Sequence, residues 1–215
     1  MLTSLAALLF PPRCLSCKEY VEPQTTLCSI CNLSWSSSVK RRKLDQTPFF
    51  FCASYNSVTS RVILKAKEEN NLRARSALAQ LVAHSILDPS SLLIPIPSRP
   101  SANRVRGFSH ATLLARAAIS LAGGARDQVV DVLRVTGSTR DQSGLNSRQR
   151  QENLHQKFGA NRQCLTHLLN LESRPIFIVD DVVTSGASAR EAIRALHAVN
   201  ITVMGLISAC AASPH

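Results

Sequence analysis

Residues Ile176 to Ser188 read Ile-Phe-Ile-Val-Asp-Asp-Val-Val-Thr-Ser-Gly-Ala-Ser. The four apolar residues Ile176 to Val179, three of them β-branched, suit a strand buried on both faces, the habit of parallel sheets. Two adjacent carboxylates, Asp180 and Asp181, stand at its C-terminal end. The small-residue turn Thr184-Ser185-Gly186-Ala187-Ser188 then opens a helix whose Ala189, Ala192, Ile193, Leu196 and Val199 share one face. Asn200 ends that helix, and a second strand is expected over Ile201 to Ile207.

Free backbone N–H groups at a helix start, with no bulky side chains over them, cradle an anion. Carboxylates beside the cradle repel a bare phosphate but accept hydroxyls and a divalent cation. A ribose 5-phosphate meets both demands, with its phosphate in the turn and its 2′ and 3′ hydroxyls on Asp180 and Asp181. The bland alternative is an ordinary strand–turn–helix with surface aspartates. The segment resembles, without a gap, the 5-phosphoribosyl 1-pyrophosphate (PRPP) signature of type I phosphoribosyltransferases. That resemblance implies PRPP binding through Val183, Thr184, Ser185, Gly186, Ala187 and Ser188, with Mg²⁺ accompanying PRPP and Asp180 and Asp181 acting in catalysis.

The chain of 215 residues is long enough for one α/β domain and a small appendage. Its 45% hydrophobic content supports a real core and argues against wholesale disorder. A net charge of +11 favours polyanionic partners, either nucleic acid or phosphorylated metabolites. No apolar run approaches the roughly eighteen residues of a membrane span. The apolar Leu2 to Phe10 lacks preceding basic residues and a small-residue cleavage site, so a short packing helix is expected there, not a signal peptide. A cytoplasmic location is the corresponding expectation.

Cys14-x2-Cys17 and Cys28-x2-Cys31 are two CxxC pairs ten residues apart. Such pairs place thiolates on one metal and complete the all-thiolate set of a closed, structural zinc site; disulfides are the alternative. Cys52, Cys164 and Cys210 stand singly and read as reduced, semi-buried residues. Asn32 to Pro48 reads as a connector with the basic run Lys40-Arg41-Arg42-Lys43. Two readings of that run stand side by side: a solvated linker, or phosphate contacts to a nucleic acid strand. Trp35 and Phe49-Phe50-Phe51 suit base stacking, though core packing is the commoner use. The organisation expected is a zinc-knuckle module and connector over 1–45, then an α/β domain over 46–215.

Strands are expected over Phe49 to Tyr55, Leu92 to Ile96 and Val129 to Leu133, and helices over Val58 to Lys67, Leu72 to Leu87 and Ser109 to Leu121. Their alternation is the pattern of a parallel sheet flanked by crossover helices. Leu93-Ile94-Pro95-Ile96-Pro97 and Arg104-Val105-Arg106-Gly107-Phe108 resemble the Val-Pro-Val-Pro and Arg-Gly-Phe-Asn-Gln segments of the ComF (ComFC, GntX-like) competence family. Thr139, Gln142, Leu145, Arg150, Asn153 and Phe158 match the spacing of that family's Thr-x-x-Gln…Leu…Arg…Asn…Phe loop, and the four-cysteine knuckle resembles its N-terminal module. The likeness covers about Leu5 to Cys210. Two segments depart from it: Ser109-His110 replaces Asn-Gln, and Leu64-Lys65-Ala66-Lys67-Glu68 replaces Leu-Lys-Tyr-x-Gly.

The resemblance implies a type I phosphoribosyltransferase-like domain linked to DNA uptake and natural transformation, with an unassigned acceptor. Single-stranded DNA and other competence proteins are the partners it implies. A non-catalytic PRPP-binding factor that handles single-stranded DNA, or a zinc-dependent adaptor, is the alternative. The loop after Pro97 follows a strand end, where open α/β sheets bind ligands. Ser98, Arg99, Arg104 and Arg106 are its candidate pyrophosphate ligands, since guanidinium forks match phosphate oxygens. Arg134 to Phe158 is long and polar; by resemblance it is the flexible hood over PRPP, with Gln142, Arg150 and Asn153 as its candidate residues.

Overall fold

A computed structural model of the chain describes residues 11–35, 37–98, 107–136, 157–161, 163–164 and 174–213. The expected helix over Leu2 to Phe10 lies outside them. The main sheet is built from β1 (Lys40–Leu44), β2 (Thr47–Ser54), β3 (Leu92–Pro95), β6 (Ile176–Val183) and β7 (Gly205–Ala211). Their order across the sheet is β1-β2-β7-β6-β3. The last four strands run parallel, and β1 pairs antiparallel with β2 at one edge. Between them lie α1 (Ser29–Asn32), α2 (Ser57–Glu68), α3 (Leu72–His84), α4 (His110–Leu121) and α5 (Ala187–His197).

The core lies on both faces of the sheet. Val62 and Ile63 of α2, Leu78, Leu81 and Val82 of α3, and Leu114 and Ile119 of α4 pack with Val179 and Ile207 on one face. Ala192 and Leu196 of α5 pack with Phe51, Ile178 and Leu206 on the other. The result is a mixed α/β arrangement in which helices sandwich a mostly parallel sheet. Such strands have no solvated face, which is why β3 and β7 are buried at every position. Asn56 starts α2 with a reciprocal cap, accepting from the Val58 and Thr59 N–H groups while its own N–H donates to Thr59 Oγ1.

Three segments differ from the expectation. The basic run is not a connector but the edge strand β1. Arg42 lies 4.7 Å over the Phe51 ring and Arg41 5.7 Å over Phe50. Aromatic support for the guanidinium stems and a charged outer edge suit a strand that ends a sheet. Ile201 to Val203 stand outside the sheet, Met204 N–H makes the first bond to β6 at Ile176 O (2.8 Å), and β7 begins at Gly205. Asn200 turns left-handed (φ +60°), the Ile201 N–H donates to Leu196 O, and buried Ile201 closes the end of α5. Val129 to Leu133 is likewise not one strand. Val129 bridges Leu93 alone, Asp131 accepts from Thr112, and the chain departs into β4 (Leu133–Val135). β4 pairs antiparallel with β5 (Phe158–Ala160) as a separate two-stranded ladder.

Parallel pairing puts the C-terminal ends of β3, β6 and β7 on one edge. Pro95 sits level with Val179, and Asp180 with Ser208. Among the described residues, no helix is long and apolar enough to cross a membrane.

Candidate functional site

β6 runs on through the acidic pair to Val183, and the turn to α5 begins directly after it. Gly186 is the N-cap of α5 at φ +75°, a conformation that strains any residue with a Cβ. A Cβ there would also lie 2.5 Å from Leu44 Cδ1. Glycine at that position brings no capping side chain of its own, and the Ala187 N–H donates instead to Ser185 Oγ of the turn (3.4 Å). The turn is gripped from outside. Arg190 donates from Nη1 to Ser185 O (2.8 Å) and from Nε to Asp45 Oδ2 (2.8 Å) in the corner between β1 and β2. Asp180, Val182 and the turn residues Val183 to Ala189 line a depression of about 40 Å³, beyond the ~10–15 Å³ one water needs. Thr184 and Ser185 face solvent.

The two carboxylates part company. Asp180 lines the depression and is only partly buried. Asp181 is 1% exposed; its Oδ2 lies 2.7 Å from Lys67 Nζ of α2 and 3.8 Å from Nε2 of buried His110 in α4. Loss of solvation, then the charge of Asp181, holds Asp180 well above the usual carboxylate range. Burial also pushes Asp181 up, but the Lys67 ammonium and the Asp180 side chain outweigh it, so Asp181 ends below that range. Burial, with the Asp181 charge adding, pushes the nearby Cys210 thiol up to about 12.

Lys67 and His110 were not read as site residues from sequence. They come from two helices far apart in the sequence, and both meet at this one carboxylate. Glu191 and Arg194 were also missed. Buried Glu191 accepts from the Phe158 N–H (3.0 Å) and is held by Arg194, which also donates to Phe158 O (3.1 Å). That clamp ties the β4/β5 ladder to the helix that begins at the turn. Of the remaining candidates, Ser98 lines a second cavity beyond β3. Arg99, Arg104, Arg106, Gln142, Arg150, Asn153 and His155 lie outside the described residues.

The Sγ atoms of Cys14, Cys17, Cys28 and Cys31 lie within 4.8 Å of one another. Sulfurs bound at 2.3 Å around a tetrahedral metal stand about 3.8 Å apart, and Cys17 and Cys28 are 3.6 Å apart. All four are free thiols at these positions, with no disulfide among them. Burial raises Cys14, but backbone N–H groups of Cys28, Cys17 and Ser16 bring its thiol down to about 6. Burial, then the Cys28 and Cys17 thiols, pushes Cys31 up to about 12. Four thiolates at this spacing repel one another, and a dication removes that conflict. The four cysteines can therefore hold a metal ion such as zinc. Arg73 of α3 seats the knuckle by donating to Thr25 O (2.6 Å), and Cys14, Leu15, Leu27 and Cys31 join the core on the α2–α4 face.

Two outcomes are expected. The folded pKa of Asp181 lies below its unfolded value, so its pairing stabilises the fold above the usual carboxylate range and is lost as pH falls through it. Lys67→Met should therefore cost about 3 kcal/mol in urea unfolding at pH 7 and less near pH 3, and adding Asp181→Asn should restore much of the loss. A cost independent of pH would remove the pairing. Purified under reducing conditions, the protein should carry about one zinc per chain, and Cys28→Ser should lose it; metal analysis finding none would refute the metal centre.

No protein-family model matches this sequence, and no curated protein is significantly similar to it.

Proposed function

We propose that this chain is a PRPP-binding protein of the type I phosphoribosyltransferase fold, of the ComF kind, with the knuckle as its structural zinc module. One observation carries the reading: a glycine-started helix stands directly beyond a carboxylate at the C-terminal edge of a parallel sheet. The amides of that helix start suit the 5-phosphate, and Asp180 suits a ribose hydroxyl. Mg²⁺, when bound with PRPP, supplies charge neutralisation of the leaving pyrophosphate. In the transfer, the bond from C1 of the ribose to pyrophosphate breaks and a bond to an acceptor nucleophile forms. Asp180 orients the sugar, and the turn fixes its far end, so that the reacting carbon is presented along the strand edge. A hydroxyl donor or a cation beside Asp180 favours its charged form and offsets the loss of solvation that raises its pKa.

Calorimetry with PRPP and Mg²⁺ tests this. Asp180→Asn, which keeps the shape, should weaken binding at least about tenfold, the loss of one charge-assisted hydrogen bond. Unchanged affinity in that variant, or no heat of binding with the wild-type protein, would refute the reading.

β1 favours the second reading, single-stranded DNA as a partner, because it displays Arg41 and Lys43 exposed on the sheet edge. It lies beside the anion turn, with Arg42 Nη1 donating to Ala212 O (2.8 Å) and Ala212 N–H to Val183 O. Affinity for an oligodeoxythymidine should fall steeply with salt, and Arg41→Gln with Lys43→Gln should flatten the log–log slope by roughly 0.7 per residue. Salt-independent binding, or an unchanged slope, would exclude β1 as a phosphate track.

A further inference from the structure

The four cysteines of the knuckle are not equivalent. Cys14 and Cys31 are buried in the apolar cluster shared with α2, α3 and α4, whereas Cys17 is exposed and Cys28 half-buried. The Cys17 and Cys28 sulfurs stand 3.6 Å apart, each from a different CxxC pair. An outer pair of sulfurs therefore meets water across the two arms of the knuckle, while an inner pair lies out of its reach. The segment between the outer two is itself superficial. Cys17 to Tyr20 and Glu22 to Gln24 are exposed, and Lys18 and Gln24 turn left-handed (φ +68° and +75°). Closing the outer sulfurs to the about 2.05 Å of a disulfide moves Cys17 on this surface turn. Every other pairing engages a sulfur that packs with the three helices.

We infer that Cys17 and Cys28 form a modification site, a pair that hydrogen peroxide joins and whose joining empties the metal centre. The metal, when bound, keeps the sulfurs as thiolates and so as nucleophiles. Cys17 Sγ attacks one oxygen of the peroxide, the O–O bond breaks, and the second oxygen leaves as hydroxide, which a solvent proton converts to water. Cys28 Sγ then attacks the sulfur of the resulting sulfenic acid. The S–S bond forms, the S–O bond breaks, and a second proton completes a second water. Two thiolates thus give two electrons to one peroxide, with no other reactant than the two protons. Cys14 and Cys31 alone are half the donor set of a closed zinc site, too few to keep the ion. A dithiol reverses the change by thiol–disulfide exchange. The event reaches past the knuckle, because both inner cysteines belong to the core of α2, α3 and α4. Trp35, the chain's only tryptophan, packs against that same cluster and reports on it. As a device that releases metal, the pair rests on the zinc reading of the knuckle; as an oxidisable pair it does not.

Peroxide titration of the full-length protein, purified under reducing conditions and then freed of reductant, tests the assignment. Zinc release is read with a metallochromic chelator, the disulfide by peptide mass spectrometry, and the packing by Trp35 fluorescence. About one zinc per chain should be released as a single Cys17–Cys28 disulfide forms. Tryptophan emission should change with it, and a dithiol with added zinc should restore the starting emission. Trypsin cuts after Arg13, Lys18 and Lys40, so this bond links two peptides, whereas a Cys14–Cys17 or Cys28–Cys31 bond lies within one. Fragmentation of the linked pair identifies the sulfurs. Cys17→His keeps a full zinc ligand set but cannot form the bond, so it should retain its zinc in peroxide that empties the wild-type protein. Should that variant not load zinc, the position of the wild-type disulfide decides alone. Release without a disulfide, a disulfide that engages Cys14 or Cys31, or a zinc-loaded Cys17→His variant that empties as the wild type does would overturn the assignment. If the purified protein carries no zinc and peroxide still joins Cys17 to Cys28, the metal reading fails and the oxidisable pair stands. If it carries zinc that peroxide does not release, the reverse holds.

Discussion

A carboxylate taken out of water must find an opposite charge, and in this molecule that requirement falls on Asp181, in the middle of a strand with neighbours on both sides. Its partners come from two different helices: Lys67 from the last turn of α2 and His110 from the first turn of α4. Removing the Lys67 partner leaves an uncompensated ion in the core. The pairing therefore fixes more than one contact. It sets where α2 ends, where α4 begins, and how both stand against β6. Pro97 and Ser98, just past β3, and the turn that follows β6 emerge on the same edge because those two strands run parallel.

With Asp181 committed to the interior, Asp180 is the carboxylate that lines the turn before α5. The turn itself is shaped by elements distant in sequence. Leu44 fills the space that a side chain at position 186 would need, and Asp45 holds Arg190, which in turn holds the Ser185 carbonyl. On the opposite side, Glu191 and Arg194 fasten β5 to α5. An edge hairpin, a central strand and a small ladder thus converge on one helix start, and movement of any of them is felt by its first amides.

The cysteine knuckle is integrated with this body. Cys14 and Cys31 are buried in the same apolar cluster as α2, α3 and α4, and Arg73 reaches from α3 to the knuckle backbone. Binding a metal there shapes one wall of the core that also contains Lys67's helix. A dication held by four thiolates contributes to folding because the ligand set does not preexist in the unfolded chain. Loss of the metal is expected to loosen the packing beneath α2 and α3 while leaving α5 and its turn in place.

The start of the strand at Ile176, the small-residue turn around Gly186 and the two cysteine pairs were legible in the sequence because each is a local signal. An apolar run, a small-residue turn and a fixed cysteine spacing depend on neighbours only a few residues away. Helices α2 to α5 were legible for the same reason, to within a few residues at their ends. The fate of Lys40 to Lys43 was not, since a charged run becomes an edge strand only when a partner with aromatic side chains lies beside it. Nor were Ile201 to Val203, whose pattern suits a strand but whose first amide is taken by the end of α5. The sequence by itself determined that two carboxylates stand before a small-residue turn. Only the tertiary structure decided that they do different things, because which carboxylate is buried depends on Lys67 and His110, more than a hundred and about seventy residues upstream, and the meeting of distant charges is a property of packing.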